Sequence, residues 1–193
     1  GERAVELRTD VDWQERESLL KVAFPVDVHA DRSTSEVQFG HVHRATHTNT
    51  SWDAARFEIP AHRWLHVAEP GYGVALVNER TYGHDVTRRA PGDAHGAGAT
   101  TVRLSLLRGP RYPDPETDRG RHSFGYRLLC GAGIPDAVRE GYRANLAPRR
   151  VRGAGPVPAV VSVDTPQVVV EAVKLADDRS GDLVVRLYES CGG

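Results

Sequence analysis

Apolar residues fall on alternate positions along most of this chain. Val5, Leu7, Val11 and Trp13 point one way, while Glu6, Arg8, Asp10 and Asp12 point the other. The pattern returns at Leu20, Val22, Phe24 and Val26, and at Val102, Leu104 and Leu106. It recurs at Val157, Ala159, Val161 and Val163, then at Leu183, Val185 and Leu187. A period of two is that of a strand with one buried face. Residues 73–77 (GVALV) and 168–173 (VVVEAV) are more continuously apolar and predict strands buried on both faces. Gly-, Pro- and Asp-rich turns separate these segments. The pattern therefore predicts a mainly β fold, an antiparallel β-sandwich and not a parallel α/β sheet.

Only one stretch reads as a helix. Ile134, Val138, Tyr142 and Leu146 recur at intervals of four, with Pro135 and Asp136 at the start and Pro148 as the stop. This predicts one short helix near 135–146. Residues 88–100 are small and polar and read as a mobile loop. Residues 149–158 read as a linker to the last strands. With 193 residues, no internal repeat and no compositional break, residues 1–193 are expected to form a single domain.

Charge changes the picture by exclusion. The formal net charge is −1, so nucleic acid and anionic membrane surfaces are not expected partners. No apolar run approaches the roughly 20 residues needed to cross a bilayer. Cys130 and Cys191 are far apart and outside any CxxC, as free thiols of a reducing cytoplasm would be, although a single bridge between them is also compatible with the sequence. The expected location is cytoplasmic.

Several side chains have the right chemistry for a site. His41, His43 and His47 crowd one segment, and His62 and His66 stand four apart. Two His on alternate strand positions can form half of a zinc site, but three or four ligands must converge. No supporting Cys or carboxylate spacing is present, so hydrogen-bonding histidines and no metal are expected here. The loop 113–122 (PDPETDRGRH) is the stronger candidate. Pro113 and Pro115 stiffen its entry and Gly120 permits a tight turn, which would fix Asp118, Arg119 and His122 in direction. These three are the loop's candidate site residues; the competing reading is that they brace the turn or an interface. Asn78, Arg80 and Tyr82 read as exposed polarity at a strand end, and Trp52 as a partly buried anchor. The carboxylate pairs Glu15/Glu17, Asp114/Glu116 and Asp177/Asp178 have no apolar setting that would raise a general acid's pKa. No catalytic acid or nucleophile is assigned.

Residues 36–58 (EVQFGHVHRATHTNTSWDAARFE) carry the most distinctive signature: an alternating start with Val37 and Phe39, then a polar loop ending at Trp52-Asp53. This stretch resembles the C-terminal β-domain of glycoside hydrolase family 38, the retaining α-mannosidases. So do residues 11–28 (VDWQERESLLKVAFPVDV), 71–83 (GYGVALVNERTYG) and 104–128 (LSLLRGPRYPDPETDRGRHSFGYRL), in the family's order. A departure lies at Leu129-Cys130-Gly131, where the family usually has a Pro-His pair. The resemblance implies a β-sandwich of the galactose mutarotase-like super-sandwich type, from a bacterial-type enzyme acting on mannose-containing glycans. It implies that this chain is a piece of a longer enzyme, with the nucleophile, general acid and zinc ligands in a missing N-terminal catalytic domain. That domain would be its main partner, and the piece alone would hold no cofactor and be inactive. By the same resemblance Asp118, Arg119 and His122 are substrate-rim candidates, and Arg119 is the first choice for a donor to sugar hydroxyls, a task suited to the paired donors of a guanidinium. The alternative is a stand-alone, non-catalytic carbohydrate-binding sandwich.

Overall fold

A computed structural model describes residues 4–88, 100–148, 150–153, 155–156 and 158–192. In chain order the strands are β1 (Ala4–Trp13), β2 (Leu19–Val26), β3 (Arg32–Val37), β4 (Gly40–Ala45), β5 (Ile59–Pro60) and β6 (Trp64–Glu69). They continue with β7 (Tyr72–Asn78), β8 (Gly83–Arg88), β9 (Thr100–Arg108), β10 (Gly120–Cys130), β11 (Val168–Leu175) and β12 (Leu183–Glu189). A single turn, α1 (Ser51–Ala54), and a longer helix, α2 (Ile134–Asn145), complete the set. The six-stranded sheet runs β1-β10-β7-β6-β3-β4 and the four-stranded sheet β2-β9-β8-β5, while β11 and β12 pair with each other. Every pairing is antiparallel.

The alternation builds the core between the two larger sheets. Trp13, Leu65, Val67, Leu76, Phe124 and Tyr126 from one sheet meet Val102, Leu104, Leu106 and Leu107 from the other, with Val22 and Phe24 packed against them. Leu106 and Leu107 are both buried because β9 bulges against β2, where Leu20 pairs with Leu107 and Lys21 with Ser105. Fully burying side chains of this size contributes roughly 1.5–3 kcal/mol each.

The run GVALV is buried on both faces, as its composition requires. Val74 and Leu76 enter the sandwich core, while Ala75 and Val77 join Trp64, Leu129 and Val138 beneath α2. The helix starts at the predicted place. Asp136 accepts from the Gly133 N–H at 3.1 Å, and Pro135 stands where a missing N–H costs nothing. Gly141 lets the helix press on Trp64, since an added Cβ would lie 3.0 Å from the indole Cδ1.

Three local readings change. The segment 168–173 is not buried on both faces, because β11 pairs only with β12. Glu171 sits in a register shift between Val170 and Ala172 and is exposed. The pairs Val170–Leu187, Val173–Val185 and Leu175–Leu183 lie on one face, and five of these six side chains are exposed. No strand forms over 158–163; Pro156, Pro158 and Pro166 interrupt the backbone donors there, and Val160 and Val163 are exposed. Val157 lies outside the described residues. The alternation at 36–39 does not continue as one strand, because Phe39 adopts φ +58° in the tight turn between β3 and β4. Trp64 opens β6 and is fully buried. The interior of the predicted loop 88–100, residues 89–99, lies outside the described residues; Arg88 and Thr100 end β8 and start β9.

Candidate functional site

The loop between β9 and β10 is ordered by its own side chains. Asp118 adopts φ +63° and Gly120 φ +127°, which turns the chain into β10. Asp118 Oδ2 accepts from the Arg108 N–H at 3.2 Å, and His122 Nε2 meets the Asp118 carbonyl oxygen at 2.7 Å. The His122 ring stacks on Phe124 with centroids 6.0 Å apart. Arg119 Nη1 donates to Glu116, whose other oxygen receives Arg16 Nη2 at 2.5 Å. The bond from Arg119, with the Arg16 charge, holds the Glu116 carboxyl below its usual range. The loop thus brings Asp118, Arg119 and His122 together and fixes each by a hydrogen bond. Arg119 keeps about a third of its side chain in solvent.

His41 and His43 meet edge-on with ring centroids 5.1 Å apart, but the described histidines do not gather as a set of metal ligands. His41 Nδ1 meets the Ser190 carbonyl at 3.0 Å, His43 Nδ1 meets Thr34 Oγ1 at 2.9 Å, and His66 Nε2 meets the Ala132 carbonyl at 2.8 Å. His47 faces Asp53 at 3.5 Å beside α1, and His62 faces Gln38. Burial lowers the pKa of His43 and His66. Among the described residues no three His, Cys, Asp or Glu side chains gather as a metal would require. The described residues therefore do not fit the zinc that the resemblance implies for the enzyme.

The buried carboxylates are all engaged with cations. Asp85 holds Lys21 and Arg103 at 2.6 Å each, Glu36 holds Arg63, and Glu140 holds Arg127. Asn78 is buried and not exposed polarity; its amide donates to the carbonyls of His62 (2.8 Å) and Thr81, shaping the 79–82 loop. Trp52 is 78% exposed, so it is no anchor.

Sequence reasoning missed a cleft of about 490 Å³ on the α2 side of the six-stranded sheet. Phe39 and Tyr82 stand at it largely exposed, and Arg63, Tyr142, Glu171 and Tyr188 form part of its lining. These come from six separate segments, and no local spacing joins them.

With the geometry in view, the comparisons with known proteins decide the relationship. Residues 1–116 match the family model described as the glycosyl hydrolases family 38 C-terminal domain. The chain belongs to this family. It is 41% identical over 197 residues to human alpha-mannosidase 2C1, covering 97% of this chain and 18% of that protein. It is 35% identical over 199 residues to alpha-mannosidase G of Dictyostelium discoideum, covering 98% and 17%. The alpha-mannosidase of Saccharomyces cerevisiae is 33% identical over 211 residues, with 98% and 18% covered. The chain therefore spans under a fifth of the length of these curated relatives. In fold it is similar to the crystal structure of an alpha-mannosidase from Enterococcus faecalis V583, with a TM-score of 0.77 at 19% identity over 98% of this chain and 22% of that one. This family 38 C-terminal domain is mainly β with antiparallel sheets, as its alternation predicted.

Proposed function

We propose that this family 38 domain serves a retaining α-mannosidase that removes terminal α-D-mannose from glycans. On this reading the catalytic carboxylates and the zinc lie in an N-terminal catalytic domain of the same cytoplasmic polypeptide. The observation that carries it is the 41% identity sustained over 97% of the chain. Physical support comes from the carboxylates. Retention needs two carboxyl groups about 5–5.5 Å apart, one with a raised pKa, and the buried carboxylates described here are each neutralised by a cation.

The domain's own work is support and substrate-edge contact. The exposed aliphatic face of β11 and β12 is the surface on which the catalytic domain docks, because an apolar face this continuous is costly to leave in water. The relatives carry roughly four-fifths of their length outside the matching region, which provides ample chain to cover it. The loop holding Asp118, Arg119 and His122 forms part of the sugar rim, with Arg119 donating to hydroxyls.

The test compares two proteins on an aryl α-mannoside. The full polypeptide is expected to hydrolyse it, and the 193-residue chain is expected to be inert. Zinc-dependent turnover by the 193-residue chain would overturn the reading.

A further inference from the structure

The cleft on the α2 side is separate from the 113–122 loop. Along β10, Gly120 lies beside that loop, whereas Tyr126 pairs with Asn78 at the start of the 79–82 loop. Six residues of strand span about 20 Å. The volume near 490 Å³ suits a small-molecule site.

The cleft is built before any ligand arrives. Arg63 is clamped by Glu36, with Nε at 3.0 Å and Nη2 at 2.5 Å, and its guanidinium lies 3.8 Å from the centroid of the Tyr142 ring. The Tyr142 hydroxyl donates to Glu171 and meets the Tyr188 hydroxyl at 3.0 Å. Tyr188 in turn holds Phe39 edge-on at 5.7 Å, and Tyr82 lies 5.6 Å from His62. Asn145 uses its amide N–H groups on the carbonyls of Asn78 and Gly141, which leaves its side-chain oxygen to accept. Exposed rings at 59% (Phe39) and 58% (Tyr82) therefore flank a floor of fixed planar donors and acceptors.

That combination has a chemical preference. Ring faces suit the C–H face of a pyranose, and planar amide, guanidinium and carboxylate groups suit neighbouring hydroxyls. Charge points the same way. Glu36 neutralises Arg63 and Glu171 adds a further carboxylate, so an anion gains nothing here.

We propose that the cleft of Phe39, Tyr82, Arg63, Tyr142, Glu171 and Tyr188 is a second saccharide-binding site, which holds a neutral mannose-containing oligosaccharide away from the rim loop. It rests on the reading of a mannose-processing parent for the identity of the sugar, not for the existence of the site. Such a site would tether one arm of a branched glycan and raise the local concentration of another.

The experiment is an amide NMR titration of the 193-residue chain with α-mannotriose. The expected shifts cluster at residues 37–39, 62–63, 82, 142–145, 171 and 188. Phe39→Ala and Tyr82→Ala should each weaken binding about ten-fold with the melting temperature unchanged. Mannose 6-phosphate should bind no tighter than methyl α-mannoside. Shifts confined to 113–122, no shifts at all, or unchanged affinity in both aromatic variants would overturn the proposal. Cleft shifts alongside normal turnover of Arg119→Ala in the full polypeptide would instead count against the rim alone.

Discussion

Glu36 receives Arg63 twice, once through the backbone N–H at 2.7 Å and once through the guanidinium. The carboxylate is almost fully buried and the arginine mostly so. Burial alone would lower the Arg63 pKa, but the bonds to Glu36 and Tyr142 outweigh it and hold the pKa above its ordinary value. Removing one partner of such a pair strands the other charge. Glu36→Ala is expected to cost about 3 kcal/mol of stability, read by urea unfolding. Glu36→Gln, which keeps the shape and one acceptor oxygen, should cost less. Equal stability of the alanine variant and the parent would mean that water replaces the carboxylate.

His84 predicts an acid-sensitive fold. It is fully buried in β8, and burial pushes its pKa from 6.5 down to about 4. Above pH 6.5 the ring is neutral in both folded and unfolded chains, and its full contribution is present. As pH falls from 6.5 towards 4, the unfolded chain takes up the proton first, so stability declines and then levels off. The span corresponds to about 3 kcal/mol. Burial lowers His66 and His43 in the same direction. Urea midpoints measured from pH 7 to 4 should fall less steeply for His84→Asn than for the parent chain. Parallel curves would rule out His84 as the main titrating group.

Gly73 and Gly125 should respond oppositely to alanine. A Cβ on Gly73 would lie 2.5 Å from the Ala132 carbonyl oxygen and press on His66 Nε2, two groups already bonded to each other. Overpacking there is expected to cost about 2 kcal/mol. On Gly125 the added carbon meets only the Glu79 carboxylate, the far end of a flexible side chain, at 2.7 Å. Thermal melts should show a clear drop for Gly73→Ala and little change for Gly125→Ala.

The alternating segments were legible because their periodicity is local: β9 buries its predicted face, and in β2 and in β1 beyond the exposed Val5 the predicted face is the one turned to the core. The helix was legible from four residues and a proline. Long-range pairing was not. The run 168–173 looks like a buried strand in isolation, and only the missing neighbours of β11 and β12 explain its exposure. For the same reason the sequence gathers Asp118, Arg119 and His122 in one loop, while Phe39, Tyr82, Tyr142 and Tyr188 meet only after folding. Trp52 looked like an anchor because large rings are usually buried, and α1 instead turns it outward.

Arg119 separates a role in catalysis from a role in bracing. Its contact with Glu116 is partly exposed and worth at most about 1 kcal/mol. In the full polypeptide, Arg119→Ala is expected to lower kcat/KM by about ten- to a hundred-fold, the cost of a charged hydrogen bond, with little change in Tm. A lower Tm with normal kcat/KM would assign the residue to bracing the loop.

The face formed by Leu175 and Leu183 should matter only in context. Leu175→Ser with Leu183→Ser is expected to leave the 193-residue chain's melting temperature nearly unchanged, since both side chains are already exposed. In the full polypeptide the same pair should cost about 2 kcal/mol if the face is covered there. Equal small effects in both proteins would remove this face as the docking surface.

The pairing of β1 with β10 also sets a timetable. Trp13 stands opposite Gly120 and Ala4 opposite Leu129, so the first strand closes on one that is made more than a hundred residues later. At synthesis rates of about 5–20 residues per second, β1 waits roughly 5–20 s for its neighbour. During that interval Leu7, Val11 and Trp13, which end up facing the core, have no sheet to join. The β3–β4 hairpin and the β6–β7 pair are complete well before then. Folding on the ribosome would therefore begin in the middle of the six-stranded sheet, and its N-terminal strand would arrive last.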